Sequence, residues 1–449
     1  MKTPKTYRKQ QAQPALDRLV QAHAAYQAGD HDAAIKLCDA VLSERRDAKA
    51  LNLKAMSLSA SHELLPAMAT YMEAIKTSPG FADAWSNLGI LMVRLGDLPR
   101  ARQVLERAIA LAPRSPLFMN NLGVALEAEG DNSAAEAAFR QAIALAAPQE
   151  YTYAWTNLAH VLLRTECWAE GWDAYRKRPR ALPKDVAEWT GAKDVDGHLL
   201  VHAATQGLGD AIQFSRFIPA IEAAFAGKVT IVSPNSMVEW LAPRAGGAGL
   251  MPKSAYAAMP ASERKATFSA AMEIFDAPLL LGALRPEQWP NRPATPRGPA
   301  RRIGLCWRGN RLHPNDHNRS LTTDEASALA AGLITSGAEV VSLVPDDYDA
   351  PAGVARFSAH AGPGSAQPTL AATARILEQL DLVVTVDTAI AHLAGDAGLP
   401  TWMLTPFVAD WRWGNHTSAC HWYDSLVLWR QTQPGDWASA IPRLRDALI

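Results

Sequence analysis

The chain has 449 residues, 20% of them charged, and a formal net charge of -1, enough for two or three domains with their own cores and no general attraction to nucleic acid. Its four cysteines, Cys38, Cys167, Cys306 and Cys420, stand far apart without a CxxC pair, which argues against a disulfide framework or a zinc cluster and fits a reduced, cytoplasmic protein. The opening MKTPKTYRKQQAQP has no apolar segment behind its charges, and no run approaches about 18 continuous apolar residues, so neither a secretory signal nor a membrane span is expected.

Residues 1–14 read as a basic tail carrying Lys2, Lys5, Arg8 and Lys9, and YRKRPR at 175–180 forms a second basic patch, either a solvated face or a binding surface. Between them the chain repeats. Shifted by 34 residues, Gly89 falls on Gly123, Gly96 on Gly130, Ala101 on Ala135 and Ala108 on Ala142, while Leu105 and Phe139 share one apolar position. Ala55, Ala67, Tyr71 and Ala74 lie one period earlier, giving about four and a half units over residues 15–176 after a two-residue insertion near 150. Period and pattern resemble the tetratricopeptide repeat, in which paired helices stack into an α superhelix. Small residues let the helices approach, large ones fill the gap, and Pro79 and Pro113 stop the second helices. This domain is assigned to residues 15–180. Asn87, Asn121 and Asn157 recur at one position of the first helix, where they either hold an extended peptide or bridge helices within the stack.

From residue 198 the rhythm becomes α/β. HLLVHA and KVTIVS read as strands, with a glycine turn and a long helix over GLGDAIQFSRFIPAIEAAF between them and helix-like SMVEWLAP after. This unit is placed at 181–285, followed by a linker at 286–300 with five prolines. The unit at 301–449 opens with strand RIGLCW, then a helix near 323–333, strand AEVVSLV and a helix near 369–379. Apolar LVVTV, residues 382–386, ends in Asp387-Thr388 and a helix over 389–395; strand TWML and a final helix near 436–447 complete it. Two sheet domains leave a cleft between the carboxyl ends of their strands, where open sheets bind ligands.

Candidate site residues cluster at those ends. Gly207, Gly209, Asp210 and Gln213 occupy the first turn, where glycines allow close backbone approach and helix N–H groups favour an anion; Asp210 is either a plain N-terminal cap or a functional acid. The string is not GxGxxG. In the second unit RGNRLHPNDHNRSL is dense in polar groups: Arg308 and Arg319 suit phosphate oxygens, and Asn310 and His313 stand beside them. No metal-ligand spacing supports a metal site. Thr388 and the N–H groups after Asp387 suit a pyrophosphate, Asp387 caps the turn or accepts a sugar hydroxyl, and His392 either orients a ligand or sits in the core. In PFVADWRWGNHTSACHWYDS, Phe407, Trp411, Trp413 and Trp422 form a sugar platform or a loop core, with Asp410 and Arg412 beside them.

Four ordered segments, QGLGDAIQFSRF, GLCWRGNRLHPNDHNRS, VTVDTAIAHLAGDAGLP and PFVADWRW, resemble those of bacterial proteins joining tetratricopeptide repeats to a glycosyltransferase of GT-B type, with two Rossmann-like domains. The catalytic part is similar to heptosyltransferases and, more distantly, to O-linked N-acetylglucosamine transferases. The resemblance implies that Asp210 is the general base, that Arg308 meets the donor phosphates, and that Asp387, Thr388 and His392 close around the donor. It also implies metal-independent, inverting transfer from a nucleotide sugar, with no separate cofactor. One departure is Thr205, where such proteins commonly carry glutamate. A repeat groove suits a protein acceptor, possible ones being flagellin or another surface protein modified on Ser or Thr. The alternatives are a lipid or oligosaccharide acceptor, or a non-catalytic repeat scaffold.

Overall fold

The computed structural model describes residues 4–147, 152–191, 197–290, 293–295, 298–311, 313, 315–344, 349–356, 369–415 and 418–448. The insertion at 148–151, part of the proline-rich linker, and the basic side chains of the expected N-terminal tail lie outside that description. The chain divides into two compact units, Met1–Leu158 and Ala159–Ile449.

The first unit is a tetratricopeptide-like helical repeat. Its helices are α1 (Pro4–Gln27), α2 (His31–Glu44), α3 (Ala48–Ala60), α4 (Leu64–Thr77), α5 (Ala82–Arg94), α6 (Leu98–Leu111), α7 (Pro116–Ala128) and α8 (Asn132–Leu145), with α9 (Thr152–Arg164) crossing into the second unit. Helix α1 begins at Pro4, so the stretch expected to be a tail continues as helix. The two prolines act as expected, since α4 and α6 end just before Pro79 and Pro113.

The aligned small and large positions prove to be one contact. A Cβ on Gly89 would lie 2.5 Å from Leu105 Cγ, and one on Gly123 2.5 Å from Phe139 Cε1. Helices α5 and α7 are therefore each notched to receive a large residue of the partner helix. The recurrent asparagines bridge neighbouring units: Asn87 Nδ2 donates to Asn52 Oδ1 at 3.0 Å, Asn121 to Ser86 Oγ at 2.9 Å, and Asn157 to Asn120 Oδ1 at 2.9 Å. These bonds are the bridge expected within the stack. A hollow of about 300 Å³ beside them is lined by Tyr26, Met56, Tyr71, Ile90 and Arg94.

The corners between paired helices share one device. Gly29, Gly96 and Gly130 adopt φ of 80°, 77° and 86°, and His62 and Glu166 hold the same left-handed turn at 63° and 64°. Each corner is closed by a backbone bond reaching back five residues, as from Glu63 N to Leu58 O and from Asp97 N to Met92 O.

In the second unit, α10 (Trp168–Arg176) packs into an α/β body rather than continuing a free stack: Trp172 Nε1 donates to Leu284 O at 2.7 Å. Among the described residues this body contains two five-stranded, wholly parallel sheets. The first comprises β1 (Ala187–Glu188), β2 (His198–His202), β3 (Lys228–Ser233), β4 (Gly249–Pro252) and β5 (Ala270–Glu273) in the order β1-β5-β2-β3-β4. The second comprises β6 (Arg302–Cys306), β7 (Glu339–Ser342), β8 (Leu382–Val386), β9 (Thr401–Thr405) and β10 (Leu426–Arg430) in the order β10-β9-β8-β6-β7. Strands β1, β4, β5 and β10 lie outside the sequence expectations. The expected long helix after β2 is broken into α11 (Leu208–Phe214), a 3-10 turn at Ser215–Phe217 and a second helix from Ile218, with Pro219 at its start.

The YRKRPR patch is solvated only in part: Lys177 is exposed, but Arg178 is drawn inward. Arg178 is buried with Glu273 and Asp276, its Nη1 2.6 Å from Asp276 Oδ1, and Arg180 and Glu188 extend the network outward. The linker is likewise partly pinned, with Trp289 buried among the rings of Trp172, Phe217 and Trp422.

His62 alone among the described corners of α1–α8 holds a left-handed conformation with a side chain, at a cost of about 1 kcal/mol relative to glycine. His62→Gly is therefore expected to raise the unfolding free energy of the repeat unit by about 0.5–1 kcal/mol, read by urea denaturation of the full chain. A loss of stability would contradict the assigned turn.

Candidate functional site

Each sheet reverses its strand order beside its first long strand, between β2 and β5 and between β6 and β8. Such reversals splay the following helices apart and open a crevice at the carboxyl ends. The turn after β2 carries Gly207, Gly209, Asp210 and Gln213, and the turn after β8 carries Asp387, Thr388 and His392; the structure brings these together. Helix α11 lies against the Ala389–Asp396 helix at Gly209, where an added Cβ would stand 2.7 Å from His392 Cδ2 and 3.6 Å from Ala389 Cα. Only glycine admits that approach.

Asp210 caps its own helix and does more. Its Oδ2 accepts the Gly207 N–H at 2.9 Å, while Oδ1 pairs with Arg412 from the loop after β9. Arg412 has 6% of its side chain exposed; it also donates through Nη1 to Asp410 Oδ1 at 2.8 Å and through Nε to Gln213 Oε1, and lies 4.2 Å from the Trp411 ring centre. Gln213 is wholly buried, and its Nε2 has no partner among the described residues.

Trp411, with 2% of its surface exposed, offers no open face for a sugar. Arg412 covers one side, and Trp172 and Trp422 stand edge-on with centroids 5.4 and 5.6 Å away. Of the two expectations for the aromatic loop, the packed core is realised for Trp411, Trp413 and Trp422, whereas Phe407 is exposed.

The loop after β6 arranges its cations differently from expectation. Arg308 is buried and spent on Asp349, with Nη2 3.1 Å from Oδ1, and Arg311 takes the other oxygen at 2.8 Å. It would have to leave Asp349 to meet a phosphate. Arg319 is better placed: its Nη1 donates to the Asp387 carbonyl at 3.1 Å, and its guanidinium lies so close to Gly309 that a Cβ there would be 2.8 Å from Nη2. Asn310 is exposed, and its carbonyl accepts the His313 N–H at 2.9 Å. His313 Nδ1 accepts the Asn315 N–H at 3.1 Å. Desolvation and then Arg319 lower the His313 pKa, against the opposing charges of Asp316, Asp410 and Asp210.

Two acids in the site are driven apart. Burial, then the negative charge of Asp410, pushes Asp387 up to about 6 despite Arg319. Burial also opposes ionisation of Asp410, but Arg412 outweighs it and holds that carboxyl at about 2. Thr388 caps the following helix, its Oγ1 accepting the Ile390 N–H at 3.3 Å with Cys306 Sγ 3.7 Å away. His392 is a buried residue whose Nδ1 shares a 2.9 Å hydrogen bond with Tyr423 Oη; burial and then Arg412 hold its pKa well below the usual imidazole range. Thr205, where the resemblance expects glutamate, has its Oγ1 buried without a hydrogen-bond partner among the described residues.

The tetratricopeptide repeat family profile matches residues 67–116 and 86–150. Protein FlbA of Caulobacter vibrioides is 23% identical over 446 residues, spanning 91% of this chain and 74% of its own length. Among solved structures, the thermophilic tetratricopeptide protein TTC0263 of Thermus thermophilus is 24% identical with a TM-score of 0.35, over 38% of this chain and 93% of that one. MamA of Desulfovibrio magneticus RS-1 is 18% identical with a TM-score of 0.31, over 36% and 92%. No described helix is long and apolar enough to cross a membrane.

Because the folded pKa of Asp387 lies above its ordinary value of 3.8, the folded chain is destabilised progressively as pH rises from about 4 to about 6, and the cost persists above that. Asp387→Asn removes the cost. Its gain in melting temperature over the parent is expected to be small near pH 4 and to reach a few degrees by about pH 7. A difference that does not vary with pH would contradict the raised value.

Proposed function

We propose that this chain is a glycosyltransferase of GT-B type that moves a sugar from a nucleotide-activated donor to a hydroxyl, with the repeat unit recruiting a protein acceptor. The observation that carries the reading is the meeting of Asp210 with the Asp387-Thr388 turn and Arg412 at the carboxyl ends of two parallel sheets. Chemically, one sheet contributes a partly exposed acid and the other a helix start with a cation beside it, the pairing that transfer between a hydroxyl and a phosphate-linked sugar needs.

In this mechanism the acceptor oxygen attacks the anomeric carbon and its proton passes to Asp210. The bond from that carbon to the phosphate oxygen breaks, and the nucleotide leaves with the electron pair. A single displacement inverts the anomeric centre. A carboxylate is a weak base at neutral pH, so Asp210 acts late, when the hydroxyl has become acidic. Leaving-group charge falls to Arg319 and to the helix start after Thr388, where the Ile390 N–H exchanges its 3.3 Å bond to Thr388 Oγ1 for a phosphate oxygen, with Arg308 contributing once released from Asp349. Asp387 and Asp410, both mainly ionised at neutral pH, offer acceptors for sugar hydroxyls. A Ser or Thr hydroxyl on a protein is the favoured acceptor because a repeat array suits extended chain better than a small lipid-linked sugar.

Calorimetric titration of the full chain with UDP, GDP, CMP and ADP, without added metal, tests the reading. One nucleotide is expected to bind saturably, Arg319→Ala to weaken it about tenfold, and Asp210→Asn to leave it within about twofold while abolishing transfer. No binding by any nucleotide in folded protein would favour a non-catalytic repeat scaffold.

A further inference from the structure

The geometry points to Arg412 as a positioning residue for Asp210: a loop of the second sheet aims the carboxylate of the first. This rests on the transferase reading above. Every degree of freedom of the Arg412 head is taken. Its own backbone N–H donates to Asp410 Oδ1 at 3.1 Å, its carbonyl accepts Trp422 Nε1 at 2.6 Å, and its guanidinium lies on a Trp411 ring that is itself walled in by Trp172 and Trp422. With Nη1 on Asp410 and Nε on Gln213, Nη2 is left to face Asp210 Oδ1. Because Gly207 N–H holds Oδ2 at 2.9 Å, the carboxylate is gripped at both oxygens, one by each sheet's carboxyl-end turn. Asp210 still has 24% of its side chain exposed, so a lone pair remains open to an incoming hydroxyl.

The base is therefore oriented only while the two carboxyl ends are together. Lysine cannot reproduce this, since a single ammonium has no fork to span Asp210, Asp410 and Gln213. A simple latch between sheets would lose stability on mutation without changing the balance of kcat and KM; a positioning residue changes kcat.

The test compares Arg412→Gln, Arg412→Lys and the parent using UDP-N-acetylglucosamine, GDP-mannose and ADP-heptose, read as nucleotide released with and without cell-extract protein as acceptor. For the donor that the parent turns over, Arg412→Gln is expected to lower kcat about 100-fold with donor KM within about threefold, and Arg412→Lys to recover part of the loss. A melting cycle needs no substrate: Arg412→Gln and Asp210→Asn should each lower the melting temperature, and the double variant should fall no further than the worse single one. Unchanged kcat in Arg412→Gln, or additive melting losses, overturns the positioning role and leaves the transferase reading standing. A folded parent that neither binds nor turns over any donor overturns both.

Discussion

A guanidinium withdrawn from water is tolerated only where anions and acceptors meet each of its edges, and Arg412 imposes that demand on everything around it. It requires Asp410 to stay ionised and Gln213 to turn its carbonyl inward, and it needs a flat ring beneath it, which Trp411 supplies only because Trp172 and Trp422 hold that ring upright. The consequences spread outward. Burial first, and a firmly ionised Asp410 beside it, make Asp387 retain its proton to higher pH, and Arg319 limits the rise. The electrostatic asymmetry of the site thus combines the burial of Asp387 with the hold of a buried cation on Asp410.

That cation finds Asp210 because of sheet topology and the absence of a side chain at Gly209. Both sheets reverse order beside their first long strand, and the turns after β2 and β8 lie at those reversals. Two helix starts can then face each other, and a Cβ at position 209 would strike His392. His392 owes its neutral state to this enclosure, and its bond to Tyr423 satisfies the nitrogen that burial would otherwise orphan.

What could be read in advance follows the range of the interaction. The repeat was legible because its logic is local: Gly123 and Phe139 lie 16 residues apart and recur one period from Gly89 and Leu105. The strand-to-helix junctions were legible for the same reason, each being a buried run followed at once by a polar turn. Arg412 could only be noted as a neighbour of Asp410, since its pairing with Asp210 spans 202 residues and leaves no periodic trace. Asp349, which takes Arg308 from its expected task, stood unmarked in a polar stretch. Short strands such as β1, with two residues, and β5, with four, carry too little pattern to separate from loop. The recurring asparagines were visible as a row, but choosing between a peptide and a neighbouring helix as their partner required the 34-residue stack itself.

The second unit buries another arginine, and the contrast separates a sealed ion-pair cluster from one whose acids stay partly open. Arg178 meets Glu273 and Asp276 with side chains exposed by 1%, 0% and 2%, and the Ala181 N–H fills the remaining Glu273 oxygen at 3.0 Å. Such a cluster fastens the segment after α10 to the end of β5 and has nothing left to offer a ligand. Around Arg412 the cation is just as enclosed, but its acids are not: Asp210 and Asp410 have 24% and 33% of their side chains exposed. Two half-open carboxylates held rigid by a sealed cation combine fixed direction with access, whereas a sealed triad has direction alone. By that criterion the Arg412 cluster is the one with groups left to meet a ligand, while Arg178 of the similarly charged YRKRPR segment belongs to the framework.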